Sequence, residues 1–481
     1  MVLESLAGKR VLVTGGRVTG RAVVPVLLDL GARVTVADSD SGELERCAAL
    51  GAETVVISEL DAAAVSEFAL VVTSPGFRPD ASPLDAAAAA GVPIWGDVEL
   101  AWRVDRAGVY GPPRTWAVVT GTNGKTTTTS MLELILRADG RRAVACGNIG
   151  VPVADALRNV EQADVLAIEL SSFQLFWAPS VRPDAGVVVN IAEDHLDWHG
   201  SMDAYVEAKL RAVSGRIGVV GLDDPIAGTL LPRASAEKTF GFTAETSGPG
   251  RIGVEAGHLV DRVFADGELL ADVADIEPSG PAGLQDALAA ASVARAVGVS
   301  AGAVADGLRG FRVGPHRAAV VRELGGVVFV DDSKATNPHA ARSSILAHDR
   351  VVWLAGGLLK GAVVDDLVRD VASRLIAAVV FGRDADQIAG ALARHAPDVP
   401  VVRVLSGDDA DVVDDTDVTD GDEVMRRVVR EAASRALPGS AVLLAPSTAS
   451  FDQFRDYGHR GDSFAAAALA LTAGDLAGHT R

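Results

Sequence analysis

The chain of 481 residues contains few cysteines, few aromatic residues and few lysines. Its two cysteines, Cys47 and Cys146, are far apart and lack metal-binding spacing, so a disulfide framework is not expected and a reducing compartment fits. The first residues are too polar for a signal peptide, and no apolar run reaches membrane-spanning length. The sequence therefore predicts a cytoplasmic protein without membrane insertion.

Positive charge is also scarce. The chain has 44 Lys and Arg against 64 Asp and Glu, which gives a net charge of −20 and argues against binding nucleic acid through a broad basic face. An anionic ligand must then be held by a few placed cations. Only six of the 44 cationic residues are lysines, whose compact, reactive amine differs from the arginine guanidinium. Four of the six fall within motifs, whereas Lys9 and Lys238 fit ordinary surface positions.

The strongest motif is the run Gly-Thr-Asn-Gly-Lys-Thr-Thr at residues 121–127. It follows an apolar, strand-like stretch and precedes a helical pattern, which is the context of a phosphate-binding loop. Glycines let backbone N–H groups approach phosphate oxygens, Lys125 reaches the terminal phosphates, and Thr126 can hold Mg²⁺. The alternative is a glycine-rich turn between strand and helix with a lysine that faces solvent.

Short apolar stretches alternate with helical patterns in three segments, which predicts parallel sheets. We expect an α/β fold of three domains, each with a mostly parallel sheet, at residues 1–108, 109–313 and 314–481, and residues 108–114 are predicted to form a linker. Glycines after the first strand and Asp38 at the end of the second resemble a dinucleotide-binding fingerprint, with Arg17 at the place of its second glycine. A tight turn alone is the alternative. The acidic residues 408–422 are predicted to be a solvated loop.

Polar residues also follow strands of the middle segment. Glu169 ends an apolar strand, which suits a Mg²⁺ ligand, although an edge or capping charge has the same pattern. Asn190 and His195 follow the next strand and suit a metal or phosphate site, whereas a structural histidine and a helix cap are the alternatives. Lys209 stands in a helical stretch, and its residues alone predict a solvated surface lysine.

The third segment places polar loops after three of its strands, at residues 331–338, 356–361 and 447–454. The first holds two acids, two hydroxyls and Lys334, a costly combination unless it is exposed or binds a ligand. A plain turn with a helix cap is the alternative for this loop. Because ligands collect at strand ends in open α/β sheets, the three loops are predicted to share one crevice.

Together these motifs resemble the Mur ligase family, the ATP-dependent amide-forming enzymes of peptidoglycan precursor synthesis. The resemblance covers nearly the whole chain, and its most discriminating string, at residues 332–337, resembles the branch that adds D-glutamate. It implies a Rossmann-like UDP-sugar-binding domain, a P-loop ATPase domain and a Rossmann-like amino-acid-binding domain. It also implies that a cytoplasmic monomer joins D-glutamate to UDP-N-acetylmuramoyl-L-alanine through an acyl phosphate, and that domain closure brings the ATP and amino-acid sites together.

The resemblance also implies roles for individual residues. The ATP-binding residues would be Gly121, Thr122, Asn123, Gly124, Lys125, Thr126, Thr127, Asp286, Arg317 and Asp332. The UDP-substrate would contact Gly16, Arg17, Thr19, Asp38, Ser39, Ser74, Gly76, Asn148 and His195. D-Glutamate would contact Thr336, Lys360, Ser450 and Phe451. Two Mg²⁺ sites, which Mn²⁺ can also fill, would use Thr126, Glu169, His195 and Lys209 in carbamylated form. The catalytic residues would be Lys125, His195, Lys209 and Lys334.

Departures from the family pattern keep other functions open. The chain has Gly-Leu-Gln-Asp286 where family members often carry His-Asn, and Leu358-Leu359 where an aspartate often precedes the lysine. The alternatives are another ligase of this type, such as one that adds L-alanine, a ligase like folylpolyglutamate synthase, and a nucleotide-binding regulator without turnover.

Overall fold

The computed structural model describes residues 3–159, 163–404 and 421–476. The chain forms two compact units, Met1–Phe311 and Arg312–Arg481. Two sheets lie in the first unit and one in the second, and most of their strands are parallel. The predicted α/β fold with three mostly parallel sheets is confirmed. The predicted acidic loop lies largely outside the described residues.

The first sheet has five parallel strands in the order β3-β2-β1-β4-β5. Its strands are β1 (Arg10–Thr14), β2 (Arg33–Asp38), β3 (Glu53–Val56), β4 (Leu70–Thr73) and β5 (Ile94–Gly96). The helices are α1 (Val18–Asp29), α2 (Ser41–Ala49), α3 (Ala62–Ser66), α4 (Leu84–Ala89) and α5 (Asp97–Arg106). The strand order reverses direction between β1 and β4, so a ligand crevice is expected beyond the carboxyl ends of these two strands.

The second sheet has nine strands in the order β14-β13-β12-β11-β10-β9-β6-β8-β7. Its strands are β6 (Thr115–Thr120), β7 (Ala143–Gly147), β8 (Val165–Glu169), β9 (Ala185–Val188), β10 (Ile217–Gly221), β11 (Lys238–Thr246), β12 (Arg251–Glu255), β13 (His258–Asp261) and β14 (Glu268–Asp272). The helices are α6 (Lys125–Ala138), α7 (Val153–Asn159), α8 (Ser172–Phe176), α9 (Leu196–His199), α10 (Met202–Leu210), α11 (Pro281–Ala296) and α12 (Ala301–Gly310). Only the edge strands β12, β13 and β14 pair in antiparallel fashion.

The interior strand β6 shows how this sheet positions its loops. Its residues 116–119 are fully buried, as expected for a parallel strand that is covered on both faces. It pairs in parallel with β8 on one side and β9 on the other. The segments that follow these three strands therefore meet at one edge of the sheet.

The third sheet has six strands in the order β15-β16-β20-β17-β18-β19, and only β15 is antiparallel to its neighbour. Its strands are β15 (Ala319–Leu324), β16 (Val327–Asp331), β17 (Val351–Gly356), β18 (Leu375–Phe381), β19 (Val401–Val404) and β20 (Ala441–Leu444). The helices are α13 (Pro338–Leu346), α14 (Asp365–Val371), α15 (Ala385–His395), α16 (Gly421–Ala433) and α17 (Tyr457–Ala470). The strands β16, β20 and β17 are neighbours, so the loops that follow them share one edge.

The predicted linker is anchored at its end. Arg114 is buried, and its guanidinium lies 3.2 Å from the carboxylate of Asp105 at the end of α5. The domain bounds at residues 108 and 313 stay a prediction. In the part of the chain that the structure describes, no helix combines the length and apolarity that crossing a bilayer requires.

Candidate active site

The phosphate loop follows β6 and leads into α6, as predicted. Gly124 precedes α6 with φ at +79°, a conformation that glycine adopts without strain. The first N–H groups of a helix have no partners within it, so they favour an anion at this end. The Nζ of Lys125 donates to the carbonyl oxygens of Gly121 at 3.0 Å and Thr122 at 2.8 Å. Lys125 is thus folded over its own loop, which does not fit the alternative of a lysine extended into solvent.

Asn190, which follows β9, holds the loop in shape. Its Oδ1 accepts the backbone N–H groups of Thr122 at 3.1 Å and Asn123 at 2.9 Å, and its Nδ2 donates to the Asn123 carbonyl at 3.1 Å. The Thr122 hydroxyl lies 2.9 Å from the hydroxyl of Tyr205. Because β6 and β9 are parallel neighbours, a side chain just past β9 reaches the loop past β6.

Asp286, in α11, lies against the start of α6. A β-carbon at Gly124 would collide with its carboxylate, and Thr128 donates a hydrogen bond to its Oδ1 at 3.1 Å. Asp286 is also buried. These contacts support the base of the phosphate loop, and a contact between Asp286 and ATP stays a prediction.

Lys209, in α10, is only 1% exposed, so the surface position predicted from its helical context is wrong. Its Nζ donates to the carbonyl oxygen of Gly121 at 2.7 Å and lies 4.7 Å from the ring centre of Tyr205. Burial lowers the pKa of Lys209 well below its ordinary value, and repulsion from Lys125 adds to this effect. Burial therefore shifts Lys209 toward the neutral amine, and its role as a carbamylated metal ligand stays a prediction.

Glu169 ends β8, in register with Val119 of β6, just before the phosphate loop. Its side chain is 2% exposed. Its Oε1 accepts a hydrogen bond from Asn148 Nδ2 at 2.8 Å, whereas its Oε2 is buried without a hydrogen-bond partner among the described residues. An unpartnered buried carboxylate oxygen is costly, and a divalent cation would satisfy it. This part of the site therefore fits Mg²⁺.

No group of three or more His, Cys, Asp or Glu side chains in residues 3–159, 163–404 and 421–476 is placed to hold a metal ion. The predicted ligands include the Thr126 hydroxyl and a lysine carbamate, which fall outside those four residue types. Mg²⁺ also takes several of its oxygen ligands from water and substrate phosphates. The orphaned oxygen of Glu169 is therefore the more informative observation, and the two predicted metal sites stay a prediction.

His195 begins α9 in a left-handed conformation, with φ at +54°. Its ring lies 4.6 Å from that of Phe173, and its Nε2 lies 3.5 Å from the carboxylate of Asp194. At the other end of α9, His199 Nε2 lies 2.9 Å from the hydroxyl of Ser172. Burial lowers the pKa of His199 to about 4, so this ring is neutral at physiological pH. The ring of Phe173 thus packs beside His195. The predicted roles of His195 in metal and substrate binding stay predictions.

Asp38, a predicted contact of the UDP-substrate, ends β2 and lies beside the glycine turn that follows β1. Asp38 accepts the N–H of Gly16 at 2.6 Å and that of Asp40 at 2.9 Å. Burial would raise the pKa of Asp38, but these backbone donors outweigh it and keep the pKa below its ordinary value. Arg17, Ser39 and the partly exposed Thr19 lie nearby in the chain. The glycine turn thus holds an ionised carboxylate.

The loop after β4 contacts α9 within the first unit. Trp198 Nε1 donates to the carbonyl of Gly76 at 3.1 Å, and the Arg78 guanidinium donates to the carbonyl of Asp197 at 2.6 Å. Ser74, at the start of this loop, donates from its N–H to Thr14 of β1. The structure therefore brings the loop of Ser74 and Gly76, two predicted contacts of the UDP-substrate, next to α9, which His195 precedes.

In the second unit, the loop after β16 begins with two acids in different surroundings. Asp331 is buried, lies 2.7 Å from His316 Nδ1 and accepts the N–H of Ser333 at 2.9 Å. Burial raises the pKa of Asp332 to about 6, although Arg317 and hydrogen bonds oppose this. Asp331 therefore anchors the loop, and the contacts of Asp332 and Arg317 with ATP stay a prediction.

The predicted D-glutamate residues occupy the loops after β16, β17 and β20. The Nζ of Lys360 lies 5.4 Å from the ring centre of the exposed Phe451, so those two loops meet. Leu358 and Ala449 exchange backbone hydrogen bonds at 2.9 Å. Ser450 is buried, and Thr336 is partly exposed. The loops after β17 and β20 thus lie against each other, and a ligand crevice shared by all three loops stays a prediction.

Lys334 and the buried Arg460 lie at the same edge of the third sheet as these loops. The Nζ of Lys334 lies 5.1 Å from the ring centre of Tyr457, and the Ser333 hydroxyl donates to the Tyr457 carbonyl at 2.8 Å. Arg460 hydrogen-bonds to the loops after all three strands. No role was predicted for Tyr457 and Arg460, or for Tyr205 in the first unit, whereas Asn190 was predicted to suit a metal or phosphate site. Asn190 had a usable signal, since it directly follows a strand, whereas helical residues such as Arg460 had none.

Comparison with known proteins places these features in a family. The family model described as Mur ligase middle domain matches residues 119–259, and the model described as Mur ligase MurD-like, N-terminal domain matches residues 9–96. The chain is 62% identical to the UDP-N-acetylmuramoylalanine–D-glutamate ligase of Rhodococcus jostii over 98% of both chains. It is 58% identical to the ligase of the same name from Mycolicibacterium smegmatis, over 96% of this chain and 97% of the relative.

A solved structure agrees on the fold. The UDP-N-acetylmuramate–alanine ligase MurC of Thermotoga maritima superposes with a TM-score of 0.57 at 17% identity, over 95% of this chain and 98% of the other. At that identity the likeness shows the fold alone. The 62% identity to the Rhodococcus jostii ligase over nearly the full length shows the family as well as the fold. The chain therefore belongs to the Mur ligase family, within the group that contains these D-glutamate ligases.

Proposed function

We propose that this protein is an ATP-dependent amide ligase that joins D-glutamate to UDP-N-acetylmuramoyl-L-alanine and releases ADP and phosphate. The observation that carries this proposal is the convergence of Lys125 and Lys209 on the carbonyl of Gly121 inside a phosphate loop. The printed name of the near-full-length relatives supports the choice of D-glutamate as the amino acid.

The reaction has two steps. The terminal carboxylate of the UDP-substrate attacks the γ-phosphorus of ATP, which forms an acyl phosphate and releases ADP. The amine of D-glutamate then attacks the acyl carbon, loses a proton and expels phosphate. In the first step Lys125 and the N–H groups at the start of α6 would bind the phosphates, and Lys334 would neutralise charge on the transferred group.

The first unit would hold the divalent cations through its own oxygen and nitrogen ligands. Glu169 and Thr126 would serve one Mg²⁺ site, and His195 with carbamylated Lys209 would serve the other, where Mn²⁺ can substitute. When bound, these ions neutralise negative charge on the phosphate oxygens. The carbamate forms when a neutral lysine amine adds to CO₂ and loses a proton, and the buried Lys209 favours the neutral amine.

The other substrate contacts are proposed for the residues that the family pattern indicates. ATP would also contact Thr122, Asn123, Thr127, Asp286, Arg317 and Asp332. The UDP-substrate would contact Gly16, Arg17, Thr19, Asp38, Ser39, Ser74, Gly76, Asn148 and His195. D-Glutamate would contact Thr336, Lys360, Ser450 and Phe451. The structure supports the last set through the meeting of Lys360 with Phe451.

A panel of amino acids tests this function. Purified protein is incubated with ATP, Mg²⁺ and UDP-N-acetylmuramoyl-L-alanine, and ADP release is measured with D-glutamate, L-glutamate, L-alanine and no amino acid. We expect release that depends on D-glutamate. With UDP-N-acetylmuramate as the acceptor, release that depends on L-alanine would instead identify an alanine-adding ligase. Release with folate acceptors and L-glutamate would identify a folylpolyglutamate synthase-like ligase, and no release under any condition would indicate a regulator.

We further propose that the protein works as a cytoplasmic monomer. Both cysteines are free and buried thiols, which fits a reducing compartment. All proposed site residues also belong to one chain. Size-exclusion chromatography with light scattering tests the monomer, and a stable dimer in the active fraction would contradict it.

A further inference from the structure

Arg460, in the first turn of α17, is fully buried and uses every N–H donor that an arginine has. Its Nε donates to the Ser333 hydroxyl at 3.0 Å, and one terminal nitrogen donates to the carbonyls of Ser333 at 2.9 Å and Thr448 at 3.1 Å. The other donates to the carbonyls of Gly356 at 3.3 Å and Thr448 at 3.2 Å. One planar group thus joins three separate loops.

The three acceptor residues lie at or just beyond the carboxyl ends of three neighbouring strands. Ser333 follows β16, Gly356 ends β17, and Thr448 follows β20. Each of these loops carries predicted D-glutamate contacts a few residues further on, which are Thr336, Lys360, Ser450 and Phe451. The guanidinium therefore contacts all three loops. If one loop shifted and the guanidinium moved with it, the hydrogen-bond distances to the other two loops would change.

The partners of Arg460 are all neutral oxygens. Asp331 and Asp452 attract the guanidinium from a distance, but both carboxylates accept hydrogen bonds from other groups, such as the backbone N–H groups of Ser333 and Arg383. Burial lowers the pKa of Arg460 to about 9, so the side chain stays charged at neutral pH. Burying a charge without an ion-pair partner among the described residues is costly, and the five hydrogen bonds to the three loops offset part of that cost.

We propose that Arg460 is a positioning residue that fixes the three loops of the amino-acid site relative to one another and thereby sets the affinity for D-glutamate. This inference rests on the proposed function for its ligand. Lysine cannot replace arginine in this role, because a single ammonium cannot reach the oxygens that the planar, five-donor fork joins. Arg460 is not expected to touch a substrate itself.

The first test compares Arg460→Lys with a matched control, Arg322→Lys. Arg322 also donates to three backbone carbonyls, those of Ala468, Leu469 and Leu471, but they lie around the far end of α17. For Arg460→Lys we expect the apparent KM for D-glutamate to rise about tenfold, as for the loss of hydrogen bonds from a charged group, with the KM for the UDP-substrate changed less than about twofold. Arg322→Lys is expected to leave both values unchanged.

A milder variant, Ser333→Ala, covers the case in which Arg460→Lys does not fold. It removes only the hydroxyl that accepts the Nε–H, and we expect the KM for D-glutamate to rise about fivefold. An unchanged KM for D-glutamate in the folded Arg460→Lys variant would overturn the proposal, and so would a parallel rise for both substrates. If only Ser333→Ala folds, an unchanged KM in that variant would overturn it.

Hydrogen exchange without any substrate separates this proposal from the proposed function. In Arg460→Lys we expect faster amide exchange in residues 332–337, 356–361 and 446–451 together, whereas Arg322→Lys changes exchange only around the end of α17. Faster exchange in one loop alone, or the same pattern in both variants, would overturn the positioning role. If the parent chain shows no ADP release that depends on D-glutamate, the proposed function fails, and the exchange experiment still decides whether Arg460 couples the loops.

Discussion

Lys125 and Lys209 donate hydrogen bonds to one and the same carbonyl oxygen, that of Gly121, at 3.0 and 2.7 Å. Two ammonium groups on one acceptor repel each other strongly in a buried site. The conflict is relieved if Lys209 is neutral, and it becomes attraction if Lys209 carries an anionic carbamate. The geometry thus disfavours two ammonium groups at this position, and the carbamate on Lys209 stays a proposal.

Replacing Lys209 by arginine tests this reasoning. Arginine is always charged and cannot form the carbamate, so we expect kcat to fall by about 10²–10³, the size of effect seen when a key stabilising group is lost. ADP release with D-glutamate measures the loss, and thermal unfolding checks that the fold persists. Lys238→Arg, at an exposed lysine above Phe264, is the matched control and should retain full activity.

Chemical rescue sharpens that test. In Lys209→Ala, a short carboxylic acid such as acetate can occupy the space of the missing carbamate, and we expect part of the activity to return with its concentration. Near-normal turnover of Lys209→Arg would remove this residue from the mechanism. Equal stimulation of the parent protein by acetate would show that the rescue is nonspecific.

Glu169→Gln tests the proposed cation site. The unpartnered Oε2 of Glu169 loses its charge in this variant, so we expect the Mg²⁺ concentration for half-maximal activity to rise about tenfold or more. A Mg²⁺ titration of ADP release measures it. Glu133→Gln is the control, since Glu133 pairs with Arg137 and accepts the N–H of Ala145. An unchanged Mg²⁺ requirement in Glu169→Gln would argue against this ligand.

Lys360→Ala tests the proposed amino-acid site. Because its ammonium would bind a carboxylate of D-glutamate, we expect the apparent KM for D-glutamate to rise about tenfold and the KM for ATP to change much less. Initial rates at varied concentrations of each substrate measure both values. Lys9→Ala serves as the control at an exposed position. Equal changes in the two KM values would indicate a different role for Lys360.

Asp97 predicts a pH-dependent stability. It is buried at the start of α5, and burial raises its pKa from 3.8 to about 6. The folded chain therefore binds a proton more tightly than the unfolded chain, so the free energy of unfolding falls as pH rises from about 4 to 6 and stays lower above that range. The shift of about two units corresponds to at most about 3 kcal/mol.

Asp97→Asn removes the free-energy cost of ionising a buried carboxyl group. We expect the variant to be more stable than the parent at pH 7–8 by up to about 3 kcal/mol, with the difference vanishing near pH 4. Urea unfolding at several pH values measures it. Asp61→Asn, at an exposed helix cap that accepts the N–H of Ala64, should show no gain at high pH. A stabilisation of Asp97→Asn that is equal at all pH values would contradict the titration of Asp97.

Much of the fold was predictable because its signals are local. Glu169 was predicted to end an apolar strand, and it is the last residue of β8, since buried parallel strands read as short apolar runs between turns. The hairpin strands β12, β13 and β14 were not predicted. They are short edge strands in which exposed polar positions interrupt the apolar pattern, as at Glu268 and Asp272.

The residues of the candidate site also differ in whether the sequence alone could predict them. The phosphate loop could be predicted because its glycines, lysine and flanking elements are consecutive in the chain. The burial of Lys209 could not, since nothing in its helix distinguishes a solvated lysine from one that turns inward to Gly121. The same holds for Arg460, whose acceptors lie 12 to 127 positions away in the chain.

The sequence by itself determined the phosphate loop and the alternation of buried parallel strands with helices, because these depend on the spacing of apolar residues, glycines and caps over short distances. Only the tertiary structure decided which scarce cations are buried and what they touch. Parallel strands bring together residues that are far apart in the chain, so the contacts of Lys209 with Gly121 and of Arg460 with three loops exist only after the sheets have formed.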